Sequence, residues 1–374
     1  MFGRRVLRWI GIEHPDYIMI DTLKEVFMAK RTNKEIIDIV LKNAVAINNE
    51  WHSIRSMLGH TWAIFYCILG ARDAGKSYAV MEYFLRCWKR KKKPFYWLRL
   101  NEASTSKLLA NNAEKLVDPD LYRKYGLELT TKGNNVYDHG IKMAEVLALS
   151  TFYNDKGVAH FDKDFNLGYN IALDEFQLEK SQKRQGDICY QFVNQMENLV
   201  RDEKEDIKII LIGNTLEEAS DILTMFNFIP ETYGRYKIRK KRCIIDYMPP
   251  SEKYRARRKG TVADLLAPDA STFTNEITFD KSLIWKGRLN KPTSIIAFSK
   301  TEKYTVWDGN VIASWNGENC STVIAMRPYI DLLFNVTLRD AIIEAFDNRA
   351  LRYRNLITNK KFQKAIQLIK PRKQ

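Results

Sequence analysis

The chain has 374 residues, of which 45% are hydrophobic and 12% aromatic, so it can build packed cores and is not a disordered protein. Its 60 Lys and Arg residues against 45 Asp and Glu give a net charge of +15, which favours a polyanionic partner. The five cysteines have no Cys-x-x-Cys spacing, which argues against zinc or a disulfide scaffold and predicts a cytoplasmic protein. No apolar run is long enough for a membrane span, so no membrane partner is expected.

Helical periodicity over residues 16–58 leads into a continuous apolar run, 63–69, which is typical of a buried parallel strand. The next eight residues fit G-x-x-x-x-G-K-[ST], the phosphate-binding loop, and a helical pattern follows them. Strand, loop and helix together predict a nucleotide site in which backbone N–H groups surround phosphate. The expected nucleotide-binding residues are Gly70, Ala71, Arg72, Asp73, Ala74, Gly75, Lys76, Ser77 and Tyr78.

Further apolar runs at 95–100, 169–176 and 207–214 predict strands that alternate with helices, which indicates an α/β domain with a parallel central sheet. Residues 101–129 are predicted to be helical, and 134–149 to form a hairpin or two edge strands. A strongly basic stretch then predicts a linker. The expected division is an ATPase domain (1–230), a basic linker (231–262) and a smaller domain (263–374) that is β-rich first and helical later.

An acidic pair closes the strand at 169–176, as the second half of a P-loop ATPase requires. Asp174 is expected to hold Mg²⁺ together with the Ser77 hydroxyl, while Lys76 faces the phosphates of ATP. Glu175 is the candidate for polarising the attacking water. An adjacent Asp-Glu pair favours an ATPase, because GTPases of the Ras type orient water with a glutamine.

Three further polar residues complete the candidate site. Asn214 ends the following strand, where its side chain can contact both phosphate and water, although a plain turn residue is the alternative. A ring ATPase needs a cation from a neighbouring subunit, for which Arg201 is the first choice and Arg184 the second. A surface ion pair is the alternative for either arginine.

These motifs resemble the DNA-packaging (encapsidation) ATPases of small short-tailed phages. The resemblance rests on Gly-Ala-Arg followed by Gly-Lys-Ser-Tyr in residues 70–78, on 171–175, on 209–215 and on the basic run 235–242. It implies an ASCE-type ATPase domain in a homomeric ring, a pentamer, docked on the portal of an empty capsid in the host cytoplasm. By the same resemblance, the ring would translocate double-stranded DNA, with a packaging RNA as a further partner.

The resemblance also implies roles for two more cations. Arg72 in the phosphate loop would hold Glu175 in a resting position, and Lys163 would make a second contact to the neighbouring subunit. It implies an RNase H-like second domain, in which an active nuclease carries an aspartate near a strand end. This chain has Phe298 and Ser299 there, so we expect that domain to lack the catalytic carboxylates; Asp308, Glu318 and Asp331 follow no pattern typical of such a site.

Three alternatives to the packaging translocase remain open. They are a helicase-like ring ATPase for replication or conjugation, a nucleic-acid-binding scaffold that only senses nucleotide, and a nuclease-competent terminase. The missing helicase motifs disfavour the first, the intact Asp174-Glu175 pair the second, and the absent aspartate the third.

Overall fold

The computed structural model describes residues 51–156, 168–177, 186–200, 207–214, 221–268, 281–308, 310–328 and 334–370. The chain divides into two compact units. One comprises the chain up to Glu217 together with Thr232–Ile277, and the other comprises Glu218–Glu231 with Thr278–Gln374. The helices expected in residues 16–50 lie outside the described residues.

Nine strands of the first unit form one sheet, in the order β3-β4-β5-β2-β6-β7-β1-β9-β8. The strands are β1 (Phe65–Leu69), β2 (Phe95–Arg99), β3 (Leu129–Lys132), β4 (Asn135–Asp138), β5 (Ile141–Ala148), β6 (Asn170–Asp174), β7 (Lys208–Gly213), β8 (Gly234–Ile238) and β9 (Cys243–Tyr247). In this order, the six strands β5, β2, β6, β7, β1 and β9 pair in parallel with one another. Antiparallel strands flank this group at both edges of the sheet. This is the expected parallel central sheet of an α/β fold.

Seven α-helices of the first unit lie among the described residues. They are α1 (Arg55–Leu58), α2 (Lys76–Lys91), α3 (Glu102–Ala113), α4 (Pro119–Lys124), α5 (Ile188–Val200), α7 (Glu252–Arg258) and α8 (Val262–Leu266). Helix α2 ends in three basic residues, where positive charge suits the helix dipole, and Pro94 follows shortly after. No helix among the described residues is long and apolar enough to cross a membrane.

The central strands are apolar along their length, as expected of parallel strands that are buried on both faces. Strands β1, β6 and β7, which carry the motifs, are almost entirely buried. Their carboxyl ends lie at one edge of the sheet, so Gly70, Glu175 and Asn214 follow three neighbouring strands at the same edge. The sheet therefore brings the motifs together although they are far apart in sequence.

The stretch expected as a basic linker, 231–262, has a different structure. It forms β8, β9 and α7, and its strands extend the sheet of the first unit beside β1. The physical reason is the buried run of β9, whose residues Cys243–Tyr247 are all inaccessible to solvent. Within it Asp246 pairs with Arg235 at 2.6 Å, so part of the basic charge serves the packing of these two strands.

The second unit contains a five-stranded sheet in the order β13-β10-β11-β12-β14. Its strands are β10 (Pro292–Ala297), β11 (Lys303–Trp307), β12 (Val311–Ser314), β13 (Thr322–Ala325) and β14 (Arg352–Tyr353), and its helices are α6 (Asp221–Met225), α9 (Val336–Asp347) and α10 (Leu356–Ile369). Phe362 on α10 is fully buried among aromatic rings, including Phe298 at 5.5 Å and Tyr304 at 5.1 Å between ring centroids. Helix α6 lies in the segment 218–231, so this unit begins earlier in the chain than the expected boundary at 263.

Candidate active site

The phosphate loop connects the carboxyl end of β1 to the start of α2. Gly75 has φ +77°, a left-handed conformation that favours glycine, and a Cβ there would lie 3.1 Å from Cε3 of Trp51. At Gly70 a Cβ would lie 3.1 Å from Cδ of Lys76. The path of the loop therefore leaves little room for side chains at either glycine, in keeping with the motif.

Lys76 is buried beneath the loop, with 5% of its surface exposed. Its Nζ donates to the carbonyl oxygens of Gly70 at 2.9 Å and Ala71 at 2.6 Å. Burial lowers the pKa of Lys76 to about 8, against the attraction of Asp174 and other nearby carboxylates. Among the described residues, two neutral oxygens are the hydrogen-bond partners of this buried ammonium group, which is therefore well suited to bind an anion such as phosphate.

Helix α7, from the basic stretch, packs against the outside of the loop. The Tyr254 hydroxyl donates to the carbonyl oxygen of Arg72 at 2.6 Å, and Arg257 Nη2 donates to that of Asp73 at 2.9 Å. Arg258 lies 3.4 Å from the Asp73 carboxylate. These contacts support Asp73, whose φ of +60° is unusual for a residue with a side chain.

Trp51 and His52, which precede α1, also contact the loop. The Trp51 ring lies against Gly75, and the Arg257 guanidinium carbon lies 4.7 Å from the centroid of the Trp51 ring. His52 N donates to Ala74 O at 2.9 Å. Burial lowers the pKa of His52 to about 4, so its ring is neutral near pH 7. Neither residue belongs to a motif, so the sequence alone does not predict their place in the site.

Ser77 and Asp174 meet as the motifs predict: the Ser77 hydroxyl donates to Asp174 Oδ1 at 3.1 Å. Burial raises the pKa of the Asp174 carboxyl, while the charge of Arg99 opposes that shift. A hydroxyl and a carboxylate side by side are hard oxygen donors of the kind that Mg²⁺ takes beside bound phosphates. The residues present therefore fit a Mg²⁺ ion.

Arg99 is a further site residue that no sequence motif predicts. It ends β2, next to β6 in the sheet, and its Nη2 lies 3.0 Å from Asp174 Oδ2. Its other terminal nitrogen forms an ion pair with Glu175. A lone arginine at a strand end belongs to no motif, and only the order of strands places it here. In this structure Arg99 therefore neutralises both acidic residues of the site.

Three of the other expected residues lie outside the described part of the chain, namely Arg201, Arg184 and Lys163. Arg72 is among the described residues and is exposed. In this structure Glu175 forms its ion pair with Arg99, and the expected contact between Arg72 and Glu175 stays a prediction. Asn214 directly follows β7 at the edge of the sheet that carries the phosphate loop.

With this geometry established, comparison with known proteins identifies the family. The model of the podovirus DNA encapsidation protein (Gp16) family matches residues 48–360. The chain belongs to this family. The match spans both units and confirms the resemblance noted from the motifs, so this encapsidation protein is a DNA-packaging protein. No curated protein sequence matches it.

Three similar solved structures come from phage packaging motors. The phi-28 gp11 DNA packaging motor is 14% identical, with a TM-score of 0.61, over 87% of this chain and 100% of that one. The phi-29 viral genome packaging motor assembly is 19% identical, with a TM-score of 0.61, over 86% and 100%. The N-terminal domain of the phi29 DNA packaging ATPase is 21% identical, with a TM-score of 0.45, over 55% and 100%. The first two show that this encapsidation protein shares their fold.

Proposed function

We propose that this chain is the ATPase of a genome-packaging motor, which couples ATP hydrolysis to the translocation of double-stranded DNA into a preformed capsid. The observation that carries the proposal is the meeting of Ser77 and Asp174 at 3.1 Å, beside a phosphate loop that buries Lys76. These groups suit a nucleotide with its Mg²⁺, and the adjacent Glu175 supplies a carboxylate for hydrolysis.

Each residue has a distinct role in this mechanism. Loop N–H groups and Lys76 bind the phosphates, and Ser77 and Asp174 would hold a Mg²⁺ ion, whose chemistry would be to offset charge on the phosphate oxygens. Glu175 orients the attacking water and accepts its proton, and Asn214 contacts water and phosphate from the neighbouring strand end. Arg201, or alternatively Arg184, supplies transition-state charge from the adjacent subunit, with Lys163 as a second such cation. Arg72, in the loop itself, holds Glu175 at rest.

The partners follow from charge and from the family. A net charge of +15 favours double-stranded DNA, bound through its phosphates because a translocase must accept any sequence. Two of the solved structures that share its fold are a phage DNA packaging motor and a viral genome packaging motor assembly, which supports a ring of subunits, a pentamer, on the portal vertex in the host cytoplasm. A packaging RNA is a further partner that such an assembly can use.

We infer that the second unit keeps an RNase H-like sheet without the nuclease chemistry. Its Glu318 carboxylate accepts hydrogen bonds from the Thr305 hydroxyl at 2.9 Å and from Asn316 N at 2.7 Å, so this acid serves the fold of its own loop. Ser299 likewise accepts from the backbone of Glu302 at 2.8 Å. Without nuclease chemistry, the second unit binds nucleic acid or the portal.

The test is Glu175→Gln, which keeps the shape of the side chain and removes its charge. Hydrolysis stimulated by double-stranded DNA should fall by about a hundredfold or more while ATP binding is retained. Glu114→Gln, at the exposed end of α3, is the matched control and should behave as wild type. Near-normal turnover in Glu175→Gln would overturn the assignment.

The same reactions test the alternatives when Mn²⁺ is added and the DNA is examined for nicks and for unwinding. Cutting that persists in Lys76→Ala would identify a nuclease-competent terminase, and strand separation would identify a helicase-like ATPase. ATP binding without DNA-stimulated hydrolysis in the unaltered protein would indicate a scaffold that only senses nucleotide.

A further inference from the structure

The residue after Glu175 is tied to the strand that carries Asn214. Phe176 is 1% exposed, and its backbone N–H donates to the carbonyl oxygen of Ile212 on β7 at 3.3 Å. The chain therefore leaves β6 through Glu175 and is fastened at once to the neighbouring strand.

The Phe176 ring occupies the place where a side chain on Gly213 would stand. A Cβ on Gly213 would lie 2.8 Å from Cε1 and 3.0 Å from Cζ of Phe176, and 3.1 Å from Cδ2 of Leu69. Real Cβ atoms do not approach ring atoms so closely. Gly213 ends β7 and has no left-handed backbone, so it is the ring, and not the backbone conformation, that requires glycine here.

Glu175 itself has φ +55°, a left-handed conformation that residues with a side chain adopt only when their surroundings enforce it. On one side β6 holds Asp174, and on the other the buried Phe176 ring holds the chain after Glu175. The direction of the Glu175 side chain thus depends on where this ring lies.

We propose that Phe176 is a positioning residue that fixes Glu175 and Asn214 relative to each other, and that Gly213 is glycine in order to admit its ring. Leu69, which borders the same space, immediately precedes the phosphate loop, so the ring lies where the ends of β1, β6 and β7 meet. This inference rests on the proposed function, in which Glu175 orients the attacking water.

The experiment is a pair of variants with a rescue. In Gly213→Ala the new methyl group displaces the ring, and we expect kcat for ATP hydrolysis to fall between about tenfold and a hundredfold while KM for ATP changes little. Phe176→Leu lacks the Cε1 and Cζ atoms that the methyl group would meet. Alone it should lower kcat moderately, because Glu175 is held less firmly. The double variant should regain most of the activity that Gly213→Ala loses.

Rescue shows that the new methyl group and the Phe176 ring compete for one space, and the comparison of kcat with melting temperature separates positioning from loss of packing. Phe95→Leu, at the opposite end of the parallel strands, is the control: it removes a similar buried ring and should lower the melting temperature without lowering kcat. Melting curves for every variant show whether the protein is folded. If Gly213→Ala does not fold, Phe176→Leu alone carries the test.

Normal kcat in folded Gly213→Ala or in Phe176→Leu would overturn the inference, as would a double variant no better than Gly213→Ala. The proposed function fails in a different way, because it requires Glu175→Gln to abolish turnover. Loss of turnover in Glu175→Gln together with a normal kcat in Gly213→Ala would therefore reject the positioning role of Phe176 and leave the proposed function intact.

Discussion

Arg99 makes ion pairs with both acidic residues of the site, and these two contacts differ in their surroundings. The Asp174 side chain is 5% exposed, whereas that of Glu175 is 55% exposed. The pair with Glu175 is therefore weaker and is the one that can open while Arg99 stays in place. A carboxylate bound to a guanidinium is less available to accept a hydrogen bond from water.

Arg99→Gln should accordingly raise the ATPase rate measured without DNA, and it should reduce the factor by which DNA stimulates hydrolysis. A partly exposed ion pair of about 1 kcal/mol corresponds to an increase of roughly fivefold. Steady-state hydrolysis with and without double-stranded DNA measures both effects, and Arg123→Gln, at an exposed position on α4, is the control. An equal and large fall in both rates would show instead that Arg99 acts in the chemical step.

The sequence predicts the site residues that belong to motifs, because a phosphate loop and a strand-end Asp-Glu pair each carry their chemistry in consecutive positions. Arg99 and Gly213 were out of reach for a different reason. Each acts through a neighbour on another strand, and the pairing of β2 with β6 and of β6 with β7 is a property of the sheet order. Single residues that work across strands leave no local pattern.

Among the elements, α2 is anchored at both ends, by the phosphate loop at its start and by Asp138 of β4 near its end. Trp88 Nε1 donates to Asp138 Oδ2 at 2.8 Å, and Lys89 Nζ lies 2.9 Å from the same oxygen. The Asp138 side chain is 1% exposed and also accepts from Glu128 N at 3.1 Å. Burial alone would raise its pKa, but these hydrogen bonds hold the pKa of Asp138 far below its usual range.

Asp138→Asn should therefore lower the free energy of unfolding by about 2–3 kcal/mol near neutral pH. A carboxyl with a depressed folded pKa stabilises the protein above its unfolded pKa of about 4, and that stability is lost as the pH falls further. The difference between wild type and Asp138→Asn should thus be full above about pH 5 and shrink below about pH 4. Denaturant unfolding followed by tryptophan fluorescence at several pH values measures it.

The exposed Asp120 of α4 is the matched control for this change, since its pair with Arg123 is open to solvent. Asp120→Asn should alter stability by less than about 0.5 kcal/mol at any of these pH values. A difference between wild type and Asp138→Asn that stays constant down to about pH 3 would contradict the role of the Asp138 charge.

The elements themselves were predicted best where they are long or wholly apolar. Strands β1, β2, β6 and β7 and helix α2 lie where the apolar runs placed them. The short strands β3 and β13 were missed, because four residues with mixed burial give little periodicity. The eleven cations between 235 and 259 predict a linker, whereas the buried run in their midst makes this stretch form β8 and β9.

Basic residues between 235 and 259 are found at both ends of the parallel strands of the first sheet. One group lies at the carboxyl edge, where the strands end, and another at the opposite edge, where they begin. Arg257 and Arg258 contact the phosphate loop at the carboxyl edge. The turn between β8 and β9 lies at the opposite edge, where the carbonyl oxygen of Arg242 accepts from the N–H of Phe65 at the start of β1. Four consecutive exposed cations, residues 239–242, form this basic turn, and none makes an ion pair with a carboxylate among the described residues.

Two of the four cations are held by an aromatic residue and two extend into solvent. The Arg239 guanidinium lies 4.1 Å from the centroid of the Trp62 ring, and Arg242 Nε donates to the Trp62 carbonyl oxygen at 3.1 Å. Because no carboxylate of the described chain offsets their mutual repulsion, we expect the basic turn to bind phosphates of DNA. The edge that binds nucleic acid would then be distinct from the edge that hydrolyses ATP.

Lys240→Glu together with Lys241→Glu should therefore weaken DNA binding without changing hydrolysis measured in the absence of DNA. In a titration over several salt concentrations, the slope of log affinity against log salt should become shallower by about two, one for each lost phosphate contact. Lys107→Glu with Lys115→Glu, at exposed positions in and just after α3, makes the same change in net charge and is the control. Equal slopes for the two double variants would show that only net charge matters. A selective loss at the basic turn would instead mean that hydrolysis at one edge of the sheet drives DNA held at the other, so that the parallel strands, about 15 Å long, transmit the movement.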